Sequence, residues 1–221
     1  MDLLKADIKK LYKKYLVPSL SAAVVTSVYS FADMIAIGRG VGADGASALS
    51  IATPIFGVIS FFGILCGIGG SVYIGKARGE GNIEKSNAYF TASLAVMSVL
   101  TVLAWAGFNL FSNPIYRFFG ANDALMPLVK EYTDILVWTM PFFLFSSYLS
   151  SMVRSDGAPN RVMAAVVVGG VFNIFCDWFF VFPMKWGMTG AAWATVLGTA
   201  IQFVILATHL FTKKCGLKLV I

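Results

Sequence analysis

Six apolar stretches, at about residues 15–37, 46–75, 87–111, 129–153, 161–183 and 187–211, occupy most of the chain. Each reaches the roughly 20 residues that a helix needs to cross the hydrocarbon of a bilayer. Backbone polar groups find no water there, so a lone spanning segment must satisfy them within itself, as a helix does. Composition points the same way. Hydrophobic residues make up 58% of the 221 positions and charged residues 13%, whereas a soluble domain carries about a quarter charged. The expected fold is all-α and integral to the membrane, with six transmembrane helices forming one lobe.

Turn residues fall between the apolar runs: Gly38 to Gly45, Gly79 to Asn82, Gly120 to Asp123, Asp156 to Pro159, and Pro183 to Gly187. The 112–128 connection has room for a short surface helix. Pro18, Pro54 and Pro141 predict kinks. Gly63 and Gly67 form a small-xxx-small pair that lets two helices approach closely. Three regions follow: a basic amphipathic segment at 1–14, the lobe at 15–211 and a basic tail at 212–221. In the first, Leu3, Leu4, Ile8, Leu11, Tyr12 and Tyr15 gather on one side of a helix and the lysines on another. That is the pattern of a helix on an anionic membrane surface, or of a basic topogenic flank. A short apolar core with a small-residue cleavage site is missing, so the first span is expected to be retained.

The formal charge of +6 would suit nucleic acid or an acidic partner if it formed one patch. It lies instead in loops and termini, so the bilayer is the expected partner and nucleic acid is not. With the N-terminus inside, thirteen lysines and arginines face the cytoplasm: five before residue 15, then Lys76, Arg78, Lys85, Arg154, Arg161, Lys213, Lys214 and Lys218. Four face outward: Arg39, Arg117, Lys130 and Lys185. The positive-inside rule selects this arrangement, with both termini cytoplasmic in a multi-pass bacterial or archaeal plasma-membrane protein.

Only Asp33 and Asp177 place carboxylates deep in the apolar runs. Charge in lipid is costly and marks ion or substrate paths. Asn173 stands four residues before Asp177, on the same helix face. Counted at about 1.5 Å per residue, Asp33, Asp177 and Thr195 fall roughly 6–12 Å below the outer ends of their helices. Four polar groups on three helices therefore share the outer half of the membrane. Their oxygens suit a hard cation such as sodium, and a carboxylate in that setting can carry a proton instead. Simple hydrogen bonding between helices is the structural alternative. Tyr29, one turn from Asp33, is placed to bond its carboxylate. Tyr132, beside Lys130, Glu131 and Asp134, reads as near the outer boundary, those charges being the wet end of the fourth span. The three cysteines are widely spaced and read as small buried hydrophobes. His209, at the end of the last run, reads as interfacial. Walker-type and Gly-x-Ser-x-Gly motifs are absent, so no enzymatic activity and no cofactor is expected.

These residues also resemble a family. Asp33-Met34-Ile35-Ala36-Ile37-Gly38-Arg39, then Gly45 to Ser50 and Pro54, looks like the first two helices of the MATE multidrug and toxin extruders. Gly75 to Gly81 is similar to the family's connection between the second and third helices. Most specific is Arg154-Ser155-Asp156-Gly157-Ala158-Pro159-Asn160, leading to Asn173-Ile174-Phe175-Cys176-Asp177 and then Gly187 to Thr195. The resemblance implies the N-terminal six-helix lobe of a secondary antiporter exporting cationic amphipathic compounds in exchange for sodium or protons. It implies a cation site at Asp33, Asn173, Asp177 and Thr195, with Pro18, Tyr29 and Tyr132 in supporting hydrogen bonds or in bending of the first helix. Two features depart from the pattern. Trp178 stands where the family often has proline, and six helices stand where the family has twelve, so a second six-helix lobe, from this or another chain, is an expected partner. Two other readings are a flippase for lipid-linked or polysaccharide precursors, disfavoured by the acidic deep charges, and a truncated lobe acting only in assembly.

Overall fold

The computed structural model describes residues 7–212 and 215–220. Leu3, Leu4 and Lys5 of the amphipathic segment, and Lys213 and Lys214 of the tail, lie outside the described residues. Among the described residues the chain forms eight α-helices: α1 (Ile8–Gly40), α2 (Ala43–Gly79), α3 (Ile83–Leu110), α4 (Ser112–Phe118), α5 (Met126–Trp138), α6 (Met140–Ser155), α7 (Pro159–Val181) and α8 (Gly187–Ala207). A 3-10 turn at Thr208–Phe211 follows. Five helices (α1, α2, α3, α7 and α8) are each long and apolar enough to cross a membrane, and α5 with α6 makes a sixth crossing as one broken span. The short α4 is the surface helix expected between residues 112 and 128.

Proline explains one departure from a straight bundle. Pro141 cannot donate a backbone hydrogen bond, and its ring crowds the preceding turn. Here α5 and α6 meet at a bend of 59°. The Thr139 hydroxyl donates to the Ile135 carbonyl at 2.7 Å beside the break. Pro18 and Pro54 sit inside helices that remain continuous. The first helix runs without interruption from Ile8, so Lys9, Lys13 and Lys14 belong to the same rod as Asp33.

Lipid tails are as apolar as leucine, so close packing rather than the hydrophobic effect joins spans to one another. The most extensive contacts are between α7 and α8, α2 and α6, and α1 and α7. At the first of these the backbones nearly touch. A methyl added at Gly169 would lie 2.6 Å from the Gly198 carbonyl oxygen, and one at Gly198 would lie 2.8 Å from that of Gly169. The expected Gly63–Gly67 pair works in the same way on α6, Gly63 against the Leu144 carbonyl and Gly67 against Ser151. At the C-terminal end of α1, Gly40 abuts Val181 of α7.

One end of the bundle is bound by charge. Arg78 at the end of α2 donates to Asp156 in the α6–α7 turn at 2.7 Å. His209 Nε2 lies 2.8 Å from the other Asp156 oxygen. The tail then doubles back over the bundle, and every second backbone N–H finds a side chain: Gly216 to Asp156, Lys218 to Asn87 and Val220 to Thr91. His209 is therefore buried, 3% exposed, and held by Asp156, so at its span end it packs within the protein.

The α7–α8 contact yields a test. Gly169→Ala should force the two helices apart, cost about 1–3 kcal/mol and lower the thermal unfolding midpoint in detergent. Gly75→Ala should leave that midpoint unchanged or raise it by up to about 1 kcal/mol in stability terms, because its added methyl meets nothing within 4 Å. Tryptophan fluorescence on heating follows both.

Candidate functional site

Five helices wall a cavity of roughly 300 Å³. Asp33, Tyr29 and Thr26 enter it from α1, Thr53 and Gly57 from α2, Tyr132 from α5, Asn173 from α7, and Thr195 and Gln202 from α8. Gly169 and Gly198 also line it. The close crossing of α7 and α8 therefore sits one turn from Asn173 and three residues from Thr195, which fixes where those two side chains emerge.

Tyr132 is the hub. Its hydroxyl lies 3.5 Å from Asp33 Oδ2 and 3.3 Å from Thr195 Oγ1. It is buried and faces Asp33 and Thr195 rather than the wet helix end that its charged neighbours suggested. Both contacts are long for O–H···O bonds, so they position groups more than they bind them. Thr195 keeps a bond to the Ala191 carbonyl at 3.1 Å.

The carboxylates are the less satisfied members. Asp33 Oδ1, Asn173 Oδ1 and both oxygens of Asp177 are buried with no hydrogen-bond partner. Asp177 is 1% exposed. It does not line the cavity itself, but it lies within electrostatic reach of Asp33 and Tyr132. Four orphaned oxygens on two packed helices are the donor set a hard cation takes, and a proton on either carboxylate would also relieve them. No lysine or arginine is among the cavity's lining residues.

Of the residues singled out by sequence, Asp33, Asn173, Thr195, Tyr29 and Tyr132 thus share one cavity, and Asp177 lies one turn beyond Asn173. Tyr29 packs its ring over Gly170, and among the described residues its hydroxyl makes no bond to Asp33. Pro18 is buried in α1, outside the cavity. It is next to Ser19, whose hydroxyl accepts from Arg154 at 2.8 Å.

The charges flanking Tyr132 are not simply a wet helix end. Glu131 accepts from the Thr189 backbone N–H at 3.2 Å and hydroxyl at 2.9 Å, which caps the start of α8. Asp134 accepts from the Tyr116 hydroxyl at 2.7 Å. At the opposite end, donor atoms of Asp156, His209 and Cys215 lie within 4.8 Å of one another. Asp156 is already committed to Arg78, His209 and Gly216. Burial also holds the Cys215 thiol above its ordinary range, away from the thiolate that ligates metals.

A six-span helical lobe enclosing buried, unpaired acids is a multi-pass membrane protein built around a polar site in the bilayer. Residues 18–179 match the MatE family model, and the chain belongs to that family. YoeA, a probable multidrug resistance protein of Bacillus subtilis (strain 168), is 32% identical over 206 residues, covering 90% of this chain and 44% of that protein. The outward-facing structure of a multidrug resistance MATE family transporter of the MOP superfamily superposes with a TM-score of 0.90 at 26% identity, covering 99% of this chain and 49% of that one. The inward-facing structure of such a transporter gives 0.81 over 88% of this chain and 44% of that one. The chain therefore spans about half the length of the proteins it matches.

The orphaned oxygens make opposite predictions for two variants. Asp177→Asn keeps the shape and removes an unpaired buried charge, so in sodium-free buffer it should raise stability by about 1–3 kcal/mol. Tyr132→Phe loses only two long contacts and should cost under about 1 kcal/mol. Midpoints from thermal unfolding decide. A less stable Asp177→Asn would mean that the carboxylate serves the fold and not a ligand.

Proposed function

We propose that this lobe is the cation-coupling half of a secondary antiporter that exports cationic amphipathic compounds in exchange for sodium or protons. The observation that carries the proposal is the set of buried, partnerless oxygens at Asp33, Asn173 and Asp177 beside a cavity reached by five helices. Thr195 and Tyr132 complete the polar wall. The printed names of the relatives, multidrug resistance and multidrug export proteins, support the direction of transport and the substrate class.

Coupling follows from electrostatics. A cation or proton arriving at Asp33 and Asp177 removes the repulsion between two desolvated carboxylates and gives their oxygens a partner. Binding shifts the conformational balance only by as much as the ion prefers one arrangement of α1, α7 and α8 over the other. A cavity lined by one acid, Asp33, and no base, with Asp177 close behind it, then favours a positively charged cargo over an anionic lipid-linked precursor. A second six-helix lobe completes the pathway. The end of the bundle carrying Arg78, Arg154 and Arg161 faces the cytoplasm in this reading, which the distribution of basic residues supports.

Inverted membrane vesicles holding the chain, loaded with a fluorescent cationic dye under an imposed sodium or proton gradient, test the proposal. Ion-driven uptake should fall by about tenfold or more in Asp33→Asn and in Asp177→Asn, as expected for loss of an intramembrane ion ligand. Radioactive sodium binding to the purified chain, measured in parallel, should fall with it if sodium is the coupling ion. Uptake and binding that match the wild type in both variants would refute the site.

A further inference from the structure

A second cavity, of roughly 560 Å³, opens at the basic end of the bundle, far from the acidic site. Its walls come from the first turns of α1, the end of α2, the α6–α7 turn with the start of α7, and the segment after α8. Lys14, Tyr15, Arg78, Arg161 and His209 line it. All of them stand at the ends of membrane spans, so the cavity lies at headgroup level.

Its charge is unbalanced. Asp156 is the single carboxylate among the lining residues, and its side chain is 1% exposed. One of its oxygens accepts from Arg78 at 2.7 Å, and the other is taken by His209 at 2.8 Å and the Gly216 N–H at 3.1 Å. Among the described residues, nothing acidic in the cavity is left for Lys14 or Arg161. The guanidinium nitrogens Arg78 Nη2 and Arg161 Nη1 are buried with no hydrogen-bond partner. Buried donors in that condition cost free energy until an acceptor arrives. Gly157 and Ala158 lead into α7, whose N-terminus adds partial positive charge and has no side-chain cap. Bases on three elements and an uncapped helix start converge on one cavity, and the fold spends its only local acid elsewhere.

We propose that this cavity binds a phosphate group, with Arg161 and Lys14 as its principal cations, and that the group is the headgroup of an anionic phospholipid. Arginine supplies a planar fork that matches phosphate oxygens, and lysine a mobile point charge. Tyr15 offers a hydroxyl at the rim. Basic pockets between spans on one membrane face recognise acidic headgroups by this chemistry. The same donors would take free phosphate, but span-end placement favours a ligand delivered by the bilayer. Arg154, two residues before Asp156, bonds Ser19 on α1, so an occupied cavity would hold the base of α1 against the α6–α7 turn.

Purified chain in detergent, unfolded by heat and followed by tryptophan fluorescence, is titrated with dioctanoyl phosphatidate, dioctanoyl phosphatidylcholine and inorganic phosphate. Phosphatidate should raise the midpoint saturably, and phosphatidylcholine at the same concentration should not. Arg161→Gln should weaken the phosphatidate response by about tenfold, the loss of one charge-assisted pair. Lys14→Gln should weaken it several-fold. Lys85→Gln, an exposed lysine at the same end but outside the cavity, should leave it unchanged. If inorganic phosphate reproduces the shift at matching concentration, the site stands and its ligand is the free ion. Should Arg161→Gln fail to fold, Arg161→Lys gives an intermediate affinity and Lys14→Gln still decides. Equal phosphatidate affinity in wild type, Arg161 and Lys14 variants, or an equal response to phosphatidylcholine, would overturn the proposal.

Discussion

In hydrocarbon a polar group without an internal partner has no water to fall back on, and this chain obeys that constraint almost everywhere. Hydroxyls along its spans bend back to the carbonyl three or four residues earlier: Thr26 to Ala22, Ser30 to Thr26, Thr53 to Leu49, Thr101 to Met97, Thr195 to Ala191. Such bonds are local, cheap in sequence terms and independent of the rest of the fold. Against that background the exceptions carry information. Among the described residues, apart from the hydroxyls of Thr133 and Ser146 and the guanidinium nitrogens of Arg78 and Arg161 at span ends, the partnerless buried side-chain atoms belong to Asp33, Asn173 and Asp177. A missing partner is costly for such groups, two of which are carboxyls that must take up a cation or a proton to be relieved.

Such atoms can be tolerated only if the helices bearing them are held by something other than polar contacts. Small residues do that here. Gly169 and Gly198 bring the backbones of α7 and α8 together. Gly170 receives the Tyr29 ring of α1, and Gly40 receives Val181. Three helices are therefore locked by shape on either side of the acids, and the acids are left without neighbours of their own. The broken span contributes differently. α5, set at 59° to α6 across the break before Pro141, presents Tyr132 to both Asp33 and Thr195 while Glu131 caps α8 from the same turn. One short helix thus supplies both a wall of the cavity and a cap for the helix opposite.

Much of this was legible in the sequence, for a physical reason. Length and apolarity decide whether a segment spans, and both are local, so all six crossings and the surface helix at α4 could be read directly. Depth counting brought Asp33, Asn173 and Thr195 to one level because a helix rises uniformly. Tyr132 reads as near the boundary from its charged neighbours, which look like a wet helix end because the partners of Glu131 and Asp134, Thr189 and Tyr116, come from other helices. Gly198 went unnoticed because a lone glycine in an apolar helix announces nothing until its partner is known, and Gly169 comes from another span. His209 and Asp156 are 53 residues apart. A histidine at the end of a hydrophobic run shows its depth but not its partner, which the chain supplies only on folding.

The two cavities are joined by the same helix. α1 is one uninterrupted element from Ile8 to Gly40; its first turns supply Lys14 and Tyr15 to the basic cavity, and its last third supplies Asp33 to the acidic one. Between them it rests chiefly on α7, which contributes Arg161 below and Asn173 and Asp177 above. Pro18, the one point in α1 where the hydrogen-bond ladder lacks a donor, lies just above the basic cavity, next to the Ser19–Arg154 bond. A bend there would move Asp33 relative to Asp177 while the base of the helix stays fixed. If the basic cavity is occupied as proposed, α1 would be held at its base and free to bend just above it, so that a change of charge at the carboxylates would be read as a change in tilt.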